Sequence, residues 1–344
     1  MSRNYLVTGG AGFIGSNFVH RLLARGEQVT IYDNLSRAGA ARNLAWLEQE
    51  FGPRSFRLVT GDVRNADLLA DSAREADVIA HLAGQVAVTT SVSNPRDDFE
   101  CNALGTFNAL EAARRSRRNP IFLYASTNKV YGGMEDVPVE EAATRWRYAD
   151  LPEGCPESQP LDFHSPYGCS KGTGDQYVRD YARIYGLRSV VFRQSCIYGP
   201  RQFGVEDQGW LAWMTIAAVT GRPITIYGDG KQVRDVLHVE DLTRAYDLAV
   251  EKIERAAGQI YNVGGGARNV LAVWAEFGPL LEKLLGREIP VGHADWRPGD
   301  QRVFYADFRK AKRELGWEPR IDVEEGIQRL FRWVNENKEL FEDL

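Results

Sequence analysis

A tyrosine and a lysine lie four positions apart in the segment HSPYGCSKG, residues 164–172. Ser165 suits the cap of a helix and Pro166 its first turn, so we expect a helix to begin here. Residues four positions apart lie on one helical face, which brings the phenol of Tyr167 next to the ammonium of Lys171. A phenol and an ammonium held together in this way are candidates for chemistry.

The spacing alone does not separate chemistry from chance. The chain contains a second pair at the same spacing, Tyr227 and Lys231 in YGDGK, but the glycines of that segment do not hold a helix. The first pair is therefore informative only if other functional residues lie beside it.

A glycine-rich segment, TGGAGFIGS at 8–16, lies between an expected strand and an expected helix. Its residues Gly9, Gly12 and Gly15 form a variant of the dinucleotide-binding fingerprint. Glycines permit a tight turn and let backbone amides approach a pyrophosphate at the helix N-terminus. The strand before and the helix after are the context that this motif requires.

The cofactor is predicted from the end of the second strand. Asp33 lies 18 residues after Gly15, where a carboxylate accepts hydrogen bonds from the ribose hydroxyls and repels a 2′-phosphate. This favours NAD. Arg37 is close enough in sequence to leave NADP as an alternative.

Further strand ends are expected to meet the same ligand. Asp62 and Val63 end the third strand and are placed to meet an adenine edge. The segment HLAGQ at 81–85 ends the fourth strand with small residues, and Ser126 and Thr127 end the fifth, where a hydroxyl can lie beside the tyrosine. Consecutive strand ends at one sheet edge indicate one extended ligand.

Alternation of apolar runs and amphipathic segments predicts the fold. The expected buried strands are 5–8, 28–33, 55–62, 77–83, 120–126 and 187–195, and helical segments include 13–25 and 101–117. This is the pattern of an α/β doubly wound parallel sheet, or Rossmann fold. We predict a cofactor domain at 1–195 and a smaller α/β substrate lobe at 196–344, with interleaved segments and a terminal helix at 323–337.

Composition excludes several classes of function. The 344 residues are 44% apolar and 26% charged with a net charge of −5, which argues against binding nucleic acid by phosphate neutralisation. No apolar run approaches the ~18 residues of a membrane span, and the first residues enter a strand without room for a signal peptide. The four cysteines and five histidines have no metal-binding spacing, so we expect no metal and a cytoplasmic protein.

With these residues the sequence resembles the extended short-chain dehydrogenases/reductases, and among them the nucleotide-sugar epimerases and dehydratases. The resemblance covers nearly the whole chain. Its segments, beyond the glycine motif and the Tyr–Lys pair, are YASTNKVYG (124–132), RQSCIYGPRQ (193–202), RDVLHVEDL (234–242), YNVGGG (261–266) and RPGD (297–300).

The resemblance implies a role for each catalytic candidate. Tyr167 would be the general base that takes a proton from a sugar hydroxyl, and Thr127 would hydrogen-bond the same oxygen. Lys171 would hold the nicotinamide ribose and, with the positive ring of the cofactor, lower the tyrosine pKa from its usual ~10. Arg234 and Arg297 would hold the substrate diphosphate, which suits a guanidinium fork.

The remaining site residues follow from the same resemblance. Those implied to bind NAD are Gly9, Gly12, Phe13, Ile14, Gly15, Asp33, Asn34, Ser36, Arg37, Asp62, Val63, Leu82, Ala83, Gly84, Gln85, Asn102, Tyr167, Lys171 and Gln194. Those implied to bind substrate are Gln85, Ser126, Thr127, Asn128, Ser195, Arg201, Gln208, Trp210, Arg234, Arg297 and Asp300.

Departures from the family pattern narrow the reaction. Dehydratases carry Thr-Asp-Glu at the fifth strand end, whereas Asn128 and Lys129 follow the threonine here, which argues against dehydration. UDP-sugar 4-epimerases usually carry asparagines where this chain has Cys196 and Trp210. Trp210 is either a core residue or a flank for the nucleotide base, and Trp213 is expected in the core.

The segment RQFGVEDQGWLAWM at 201–214 resembles the branch of 2-epimerases that act on CDP-paratose and CDP-tyvelose. The resemblance implies epimerisation of a nucleotide-activated hexose at C2, with CDP-hexoses favoured and GDP-hexoses as further candidates. A 4-epimerase of a UDP- or GDP-sugar and a non-catalytic NAD-binding module are the alternatives. The resemblance also implies a homodimer through helices near 101–117 and 165–186, or a tetramer built from that dimer.

Overall fold

The computed structural model describes residues 2–296 and 301–342. Its strands are β1 (Asn4–Thr8), β2 (Gln28–Asp33), β3 (Arg57–Thr60), β4 (Val78–His81), β5 (Ile121–Thr127), β6 (Val139–Glu141), β7 (Trp146–Tyr148), β8 (Arg188–Gln194), β9 (Cys196–Tyr198), β10 (Ile224–Tyr227), β11 (Val233–His238), β12 (Gln259–Val263), β13 (Val270–Ala272), β14 (Val291–Ala294) and β15 (Val303–Phe304).

Its α-helices are α1 (Phe13–Ala24), α2 (Ala40–Phe51), α3 (Ala66–Ala73), α4 (Val88–Ser93), α5 (Pro95–Phe99), α6 (Gly105–Arg115), α7 (Ser165–Tyr185), α8 (Trp210–Thr220), α9 (Val239–Glu251), α10 (Ile253–Ala256), α11 (Phe277–Leu285), α12 (Arg309–Leu315) and α13 (Val323–Glu336). A π-helical turn, Glu100–Leu104, joins α5 to α6, and short 3₁₀ turns cover Asn128–Tyr131 and Lys338–Phe341.

Seven parallel strands form the central sheet in the order β12-β8-β5-β4-β1-β2-β3. The predicted doubly wound fold is confirmed. All six expected strands belong to this sheet, although the third is shorter than the expected 55–62. The seventh, β12, was missed because it lies far along the chain, where the pattern changes to short strands and turns.

Chain segments cross residue 195 in both directions. Strand β12 joins the central sheet beside β8, and Tyr246 of α9 packs on Phe192 of the same strand with ring centroids 5.0 Å apart. In the other direction, the β6–β7 hairpin extends into the second lobe, where the backbone of Trp146 donates to the carbonyl of Lys231 at 3.1 Å.

The second lobe has a core of its own. Strand β11 is flanked by β13 and β15 and also pairs with β9, while α8, α11 and α13 bury apolar side chains that include Ile216, Phe277 and Leu330. Trp213 packs partly buried against this core, as predicted.

Local capping explains how α7 begins and ends. The hydroxyl of Ser165 accepts from the backbone N–H of Gly168 at 3.2 Å, and Pro166 occupies the first turn. Gly186 ends the helix in the left-handed conformation, with φ of 68°. The helix therefore starts at the carboxyl edge of the sheet with Tyr167 in its first turn.

Candidate active site

The glycine turn lies close against the neighbouring strand end. A Cβ added to Gly9, where φ is +69°, would lie 2.7 Å from the backbone nitrogen of Ala83, and one on Gly15 would lie 2.1 Å from the carbonyl oxygen of Gly9. Gly12 precedes α1, so Phe13 and Ile14 present the first N–H groups of that helix. The residues present thus fit a pyrophosphate held by backbone amides.

Asp33 lies directly beside this turn. Its carboxylate is buried and accepts from the backbone N–H groups of Ala11 at 3.0 Å and Leu35 at 2.8 Å. Burial raises the pKa of Asp33, and these two hydrogen bonds oppose the rise by favouring the ionised form. The carboxylate is fixed where the adenosine ribose of a dinucleotide would lie.

Asp33→Ala should weaken NAD binding and make NADP acceptable, because it removes both the ribose acceptor and the repulsion of a 2′-phosphate. The dissociation constants of both cofactors, measured by calorimetry, test this. Asp67→Ala, in the first turn of α3, is the control and should change neither constant. Wild-type protein that binds NADP better than NAD would show that the role given to Asp33 is wrong.

The residues predicted to contact the adenine already make contacts within the protein. Arg64 and the amide of Asn34 both donate to the carboxylate of Asp62, and the Arg64 hydrogen bond holds the pKa of Asp62 well below its usual range. Val63 packs its side chain into the core. Ser36 donates to the side-chain oxygen of Asn34 at 2.7 Å.

Asn102 links the fourth strand end to the π-helical turn. Its side-chain oxygen accepts from the N–H of Gln85 at 2.9 Å, and its nitrogen donates to the carbonyl of Gln85 at 3.0 Å. A Cβ on Gly84 would lie 2.8 Å from the Asn102 oxygen and 3.9 Å from Nζ of Lys171. The structure thus brings four predicted site residues together at one edge of the sheet: Gly84, Gln85, Asn102 and Lys171. At the same edge, Leu82 donates its backbone N–H to the carbonyl of Thr8.

Thr127 and Tyr167 meet at the carboxyl end of β5. Both are buried, at 7% and 8% exposed. Thr127 hydrogen-bonds the Tyr167 phenol, which lowers the pKa of Tyr167, but burial outweighs this bond and raises that pKa to about 12. The helix is held in place by the N–H of Tyr167, which donates to Ser91 at 3.1 Å.

Lys171 lies one turn further along α7, as the spacing predicted. Its Nζ lies 4.5 Å from the ring centroid of Tyr124, and burial lowers the pKa of Lys171 to about 8. Lys171 was expected to lower the tyrosine pKa, but protein groups alone leave that pKa above 10. The expected lowering therefore needs the positive charge of the cofactor ring as well.

A cavity of about 350 Å³ opens beside these residues. Its lining includes Lys129, His164, Gln301, Arg302 and residues of the β6–β7 hairpin. Asn128 is buried next to it, with Thr127 Oγ1 3.4 Å from its side-chain oxygen. Lys129 Nζ lies 3.3 Å from the side-chain oxygen of Gln301.

Two residues predicted to bind substrate have their hydroxyls engaged elsewhere. Ser126 donates to Asp175 at 2.7 Å, on the sheet face that α7 covers. Ser195 donates to Asp235, whose buried carboxyl has its pKa raised to about 6 by burial. Both hydroxyls thus satisfy buried carboxylates, and the substrate contacts expected of Ser126 and Ser195 stay predictions.

Three further residues predicted for the site make contacts with distant segments of the chain. The guanidinium of Arg201 lies 4.4 Å from the ring of Trp46 and so joins the 201–209 segment to α2 rather than to the cavity. Gln208 accepts from Arg37, on the ribose side of the glycine turn. Gln194, predicted to meet the cofactor, commits its amide nitrogen to the Tyr246 hydroxyl at 2.6 Å.

The predicted diphosphate and base contacts lie in the second lobe. Arg234 is buried on β11 and donates to the carbonyl of Val233 at 2.8 Å. Trp210 begins α8, with its ring edge-to-face against Phe277 at 5.5 Å. Arg297 and Asp300 lie outside the described residues.

Sequence reasoning missed Asp98, which is 1% exposed beside Asn102 and Ser170. No local signal marks Asp98, because it lies before the predicted helical segment 101–117 and next to a second aspartate, Asp97. Across the described part of the chain, no group of three His, Cys, Asp or Glu side chains could hold a metal. None of its helices is long and apolar enough to span a membrane.

Comparison with known sequences places these residues in a family. Residues 6–330 match the family described as GDP-mannose 4,6 dehydratase. The CDP-paratose 2-epimerase of Salmonella typhi is 45% identical over 96% of this chain and 98% of its own length. A dTDP-glucose 4,6-dehydratase of Streptomyces antibioticus is 35% identical over 99% and 95%.

Solved structures resemble the whole chain. A dTDP-glucose 4,6-dehydratase double mutant from Streptomyces venezuelae, solved with NAD bound, has a TM-score of 0.85 and 33% identity, covering 98% of this chain and 99% of its own. The UDP-glucose 4-epimerase of Thermotoga maritima, solved with UDP-glucose, has a TM-score of 0.82 and 32% identity, covering 97% and 99%.

Proposed function

The chain belongs to the family described as GDP-mannose 4,6 dehydratase, within the extended short-chain dehydrogenases/reductases, and on this premise we propose that it epimerises a CDP-activated hexose at C2. It is an NAD-dependent nucleotide-sugar epimerase. The observation that carries the C2 assignment is the 45% identity to a CDP-paratose 2-epimerase, compared with 35% to a dehydratase and 32% to a 4-epimerase structure.

The catalytic group is Tyr167, which takes the proton from the C2 hydroxyl and returns it after inversion. Thr127 hydrogen-bonds the Tyr167 phenol and orients it toward the substrate oxygen. Lys171 supplies a positive charge on the same helical face and holds the nicotinamide ribose. NAD, held by the glycine turn, Asp33 and Lys171, would supply the hydride chemistry at C2.

The residues beside Thr127 argue against dehydration. Elimination of water from a keto-sugar needs an acid for the leaving hydroxyl and a base for the neighbouring carbon-bound proton. Asn128 is neutral and Lys129 is a cation, so neither replaces the two acids found in the dehydratases. The keto-sugar is therefore left to accept the hydride again.

Two residues of the second lobe, Arg234 and Trp210, favour a mode of nucleotide binding that differs from that of the UDP-sugar 4-epimerases. Burial raises the pKa of the Cys196 thiol, and the charge of the buried Arg234 opposes the rise. A guanidinium suits a diphosphate. Trp210 offers an aromatic face and an Nε1 donor next to Cys196. We assign these residues to the diphosphate and the base.

A substrate panel tests the assignment. CDP-, GDP- and UDP-hexoses are incubated with the protein, and the products are identified by NMR. Gluco- and manno-configured CDP-sugars should interconvert, with GDP-sugars as slower substrates. A product inverted at C4, or turnover confined to UDP-sugars, would favour the 4-epimerase alternative instead.

We also propose a homodimer through α5, α6 and α7. These helices expose Phe99, Phe107, Tyr177, Ile184 and Tyr185 at 57%, 41%, 48%, 66% and 55%, and a patch of exposed large apolar side chains typically marks an interface. Light scattering should give twice the chain mass of 38.6 kDa. Ile184→Asp should shift the protein toward the monomer, whereas Leu58→Asp on β3, exposed but remote from these helices, should not.

A further inference from the structure

Asp98 is a buried carboxylate that the proposed reaction does not use. The hydroxyl of Ser170 donates to its Oδ2 at 2.5 Å, and the amide of Asn102 donates to its Oδ1 at 3.1 Å. Both donors are neutral groups, so they stabilise the ionised carboxylate without cancelling its charge. Burial raises the pKa of Asp98, while Ser170, Lys171 and Asn102 oppose the rise.

The two donors connect Asp98 to both sides of the cofactor edge. Ser170 directly precedes Lys171 in α7, and its Oγ also lies 3.2 Å from the carbonyl of Tyr167. Asn102 holds both backbone polar groups of Gln85. A change at Asp98 therefore acts on the helix that carries the catalytic pair and on the strand end that faces it.

The charges around Lys171 single out Asp98. Cys101, Asp98 and Asp175 each favour the charged form of Lys171, against burial. Burial raises the pKa of the Cys101 thiol, so it stays neutral near pH 7, and Asp175 is neutralised by Arg193 at 2.9 Å.

The remaining neighbours of Lys171 carry no negative charge near neutral pH. His81 on β4 has its pKa lowered to about 3 by burial and is therefore neutral. Tyr124 on β5 is a neutral phenol whose pKa is raised well above its usual value by burial. Asp98 is left as the acidic group near Lys171 that has no basic hydrogen-bond partner in residues 2–296 and 301–342.

We propose that Asp98 is a positioning residue whose negative charge keeps the Lys171 side chain protonated inside the closed site. This rests on the role given to Lys171 in the proposed function. Without that charge, desolvation disfavours the ammonium, and Lys171 loses its proton at a lower pH. The ammonium that holds the nicotinamide ribose is then absent in mildly alkaline solution.

The test is the pH dependence of NAD binding to the full-length protein, measured by calorimetry after bound cofactor is removed. Wild-type affinity should fall as Lys171 deprotonates near its pKa of about 8. Asp98→Asn, which removes the charge and keeps the shape, should move that fall by about 1 unit to lower pH, the low end of the effect of a neighbouring charge. Asp98→Glu should restore the wild-type profile, and Asp97→Asn, at an exposed ion pair with Arg64, should leave it unchanged.

The measurement needs no sugar, so it gives an answer even if the proposed substrate is wrong. A folded Asp98→Asn protein with the wild-type pH profile would overturn the proposal. Asp98→Ser removes the same charge with a smaller side chain and is measured alongside it. If neither variant folds, Asp98 serves the stability of the segment rather than the charge of Lys171, and the proposal is equally overturned.

Discussion

Tyr167→Phe is expected to lower kcat by ~10²–10⁴-fold, the typical contribution of a positioned acid–base group. The substitution removes one oxygen from a side chain that is 8% exposed and leaves the ring, the backbone bond to Ser91 and the position of Lys171 as they are. The lost hydrogen bond to Thr127 should cost about 1 kcal/mol of stability. Turnover, circular dichroism and the amount of NAD that co-purifies measure the three quantities separately.

The chain provides its own control for this variant. Tyr227 shares the spacing with a lysine, but it ends β10, and its hydroxyl donates to Glu206 at 3.0 Å near the surface. Tyr227→Phe should therefore leave kcat within a factor of about two, since surface substitutions away from a site have small effects. Near wild-type turnover by the Tyr167→Phe protein would show that the spacing of Tyr167 and Lys171 is a coincidence.

The cofactor and catalytic residues at the carboxyl edge of the sheet could be predicted because local sequence patterns determine their positions. Glycine is required at positions 9 and 15 because a Cβ on Gly9 or Gly15 would lie less than 3 Å from other backbone atoms. Asp33 is the last residue of the second strand, so its position follows from where that strand ends. The spacing of Tyr167 and Lys171 fixes their common face once the helix is known. Each of these inferences needs only the order of elements along the chain.

Other contacts of the predicted site residues could not be foreseen, because they join segments that are distant in the chain. Arg201 was assigned to substrate by its position in the motif, but it stacks on Trp46, which lies 155 positions earlier in the chain. Ser126 was predicted to lie beside Thr127 at the site, and its hydroxyl donates to Asp175, which lies 49 positions later in the chain. Asp98 was overlooked because nothing local distinguishes a buried carboxylate from the exposed Asp97 beside it.

Substrate carrying deuterium at C2 should keep its label through epimerisation. In the proposed reaction Tyr167 removes only the hydroxyl proton, and the hydride chemistry that NAD would supply keeps the C2 hydrogen out of exchange with solvent. The measurement is mass spectrometry and NMR of the product formed in ordinary water and in D₂O.

The result separates three ways of inverting a carbon. Hydride return keeps the substrate label and takes none from solvent, whereas inversion by deprotonation at C2 would exchange it with D₂O. Inversion at C4 would leave the C2 label untouched but change the coupling constants at C4, so NMR of the same sample distinguishes it from the proposed reaction.

A 4-epimerase turns the keto-sugar about its bonds to the diphosphate, but C2 adjoins the anomeric carbon, so the sugar must dock in a different pose. Lys129 and Gln301 line the cavity, and Asn128 is buried beside Thr127, so we expect the difference in pose to depend on these residues. Solvent deuterium at C2 would refute the mechanism, since no base in this arrangement is assigned to a carbon-bound proton.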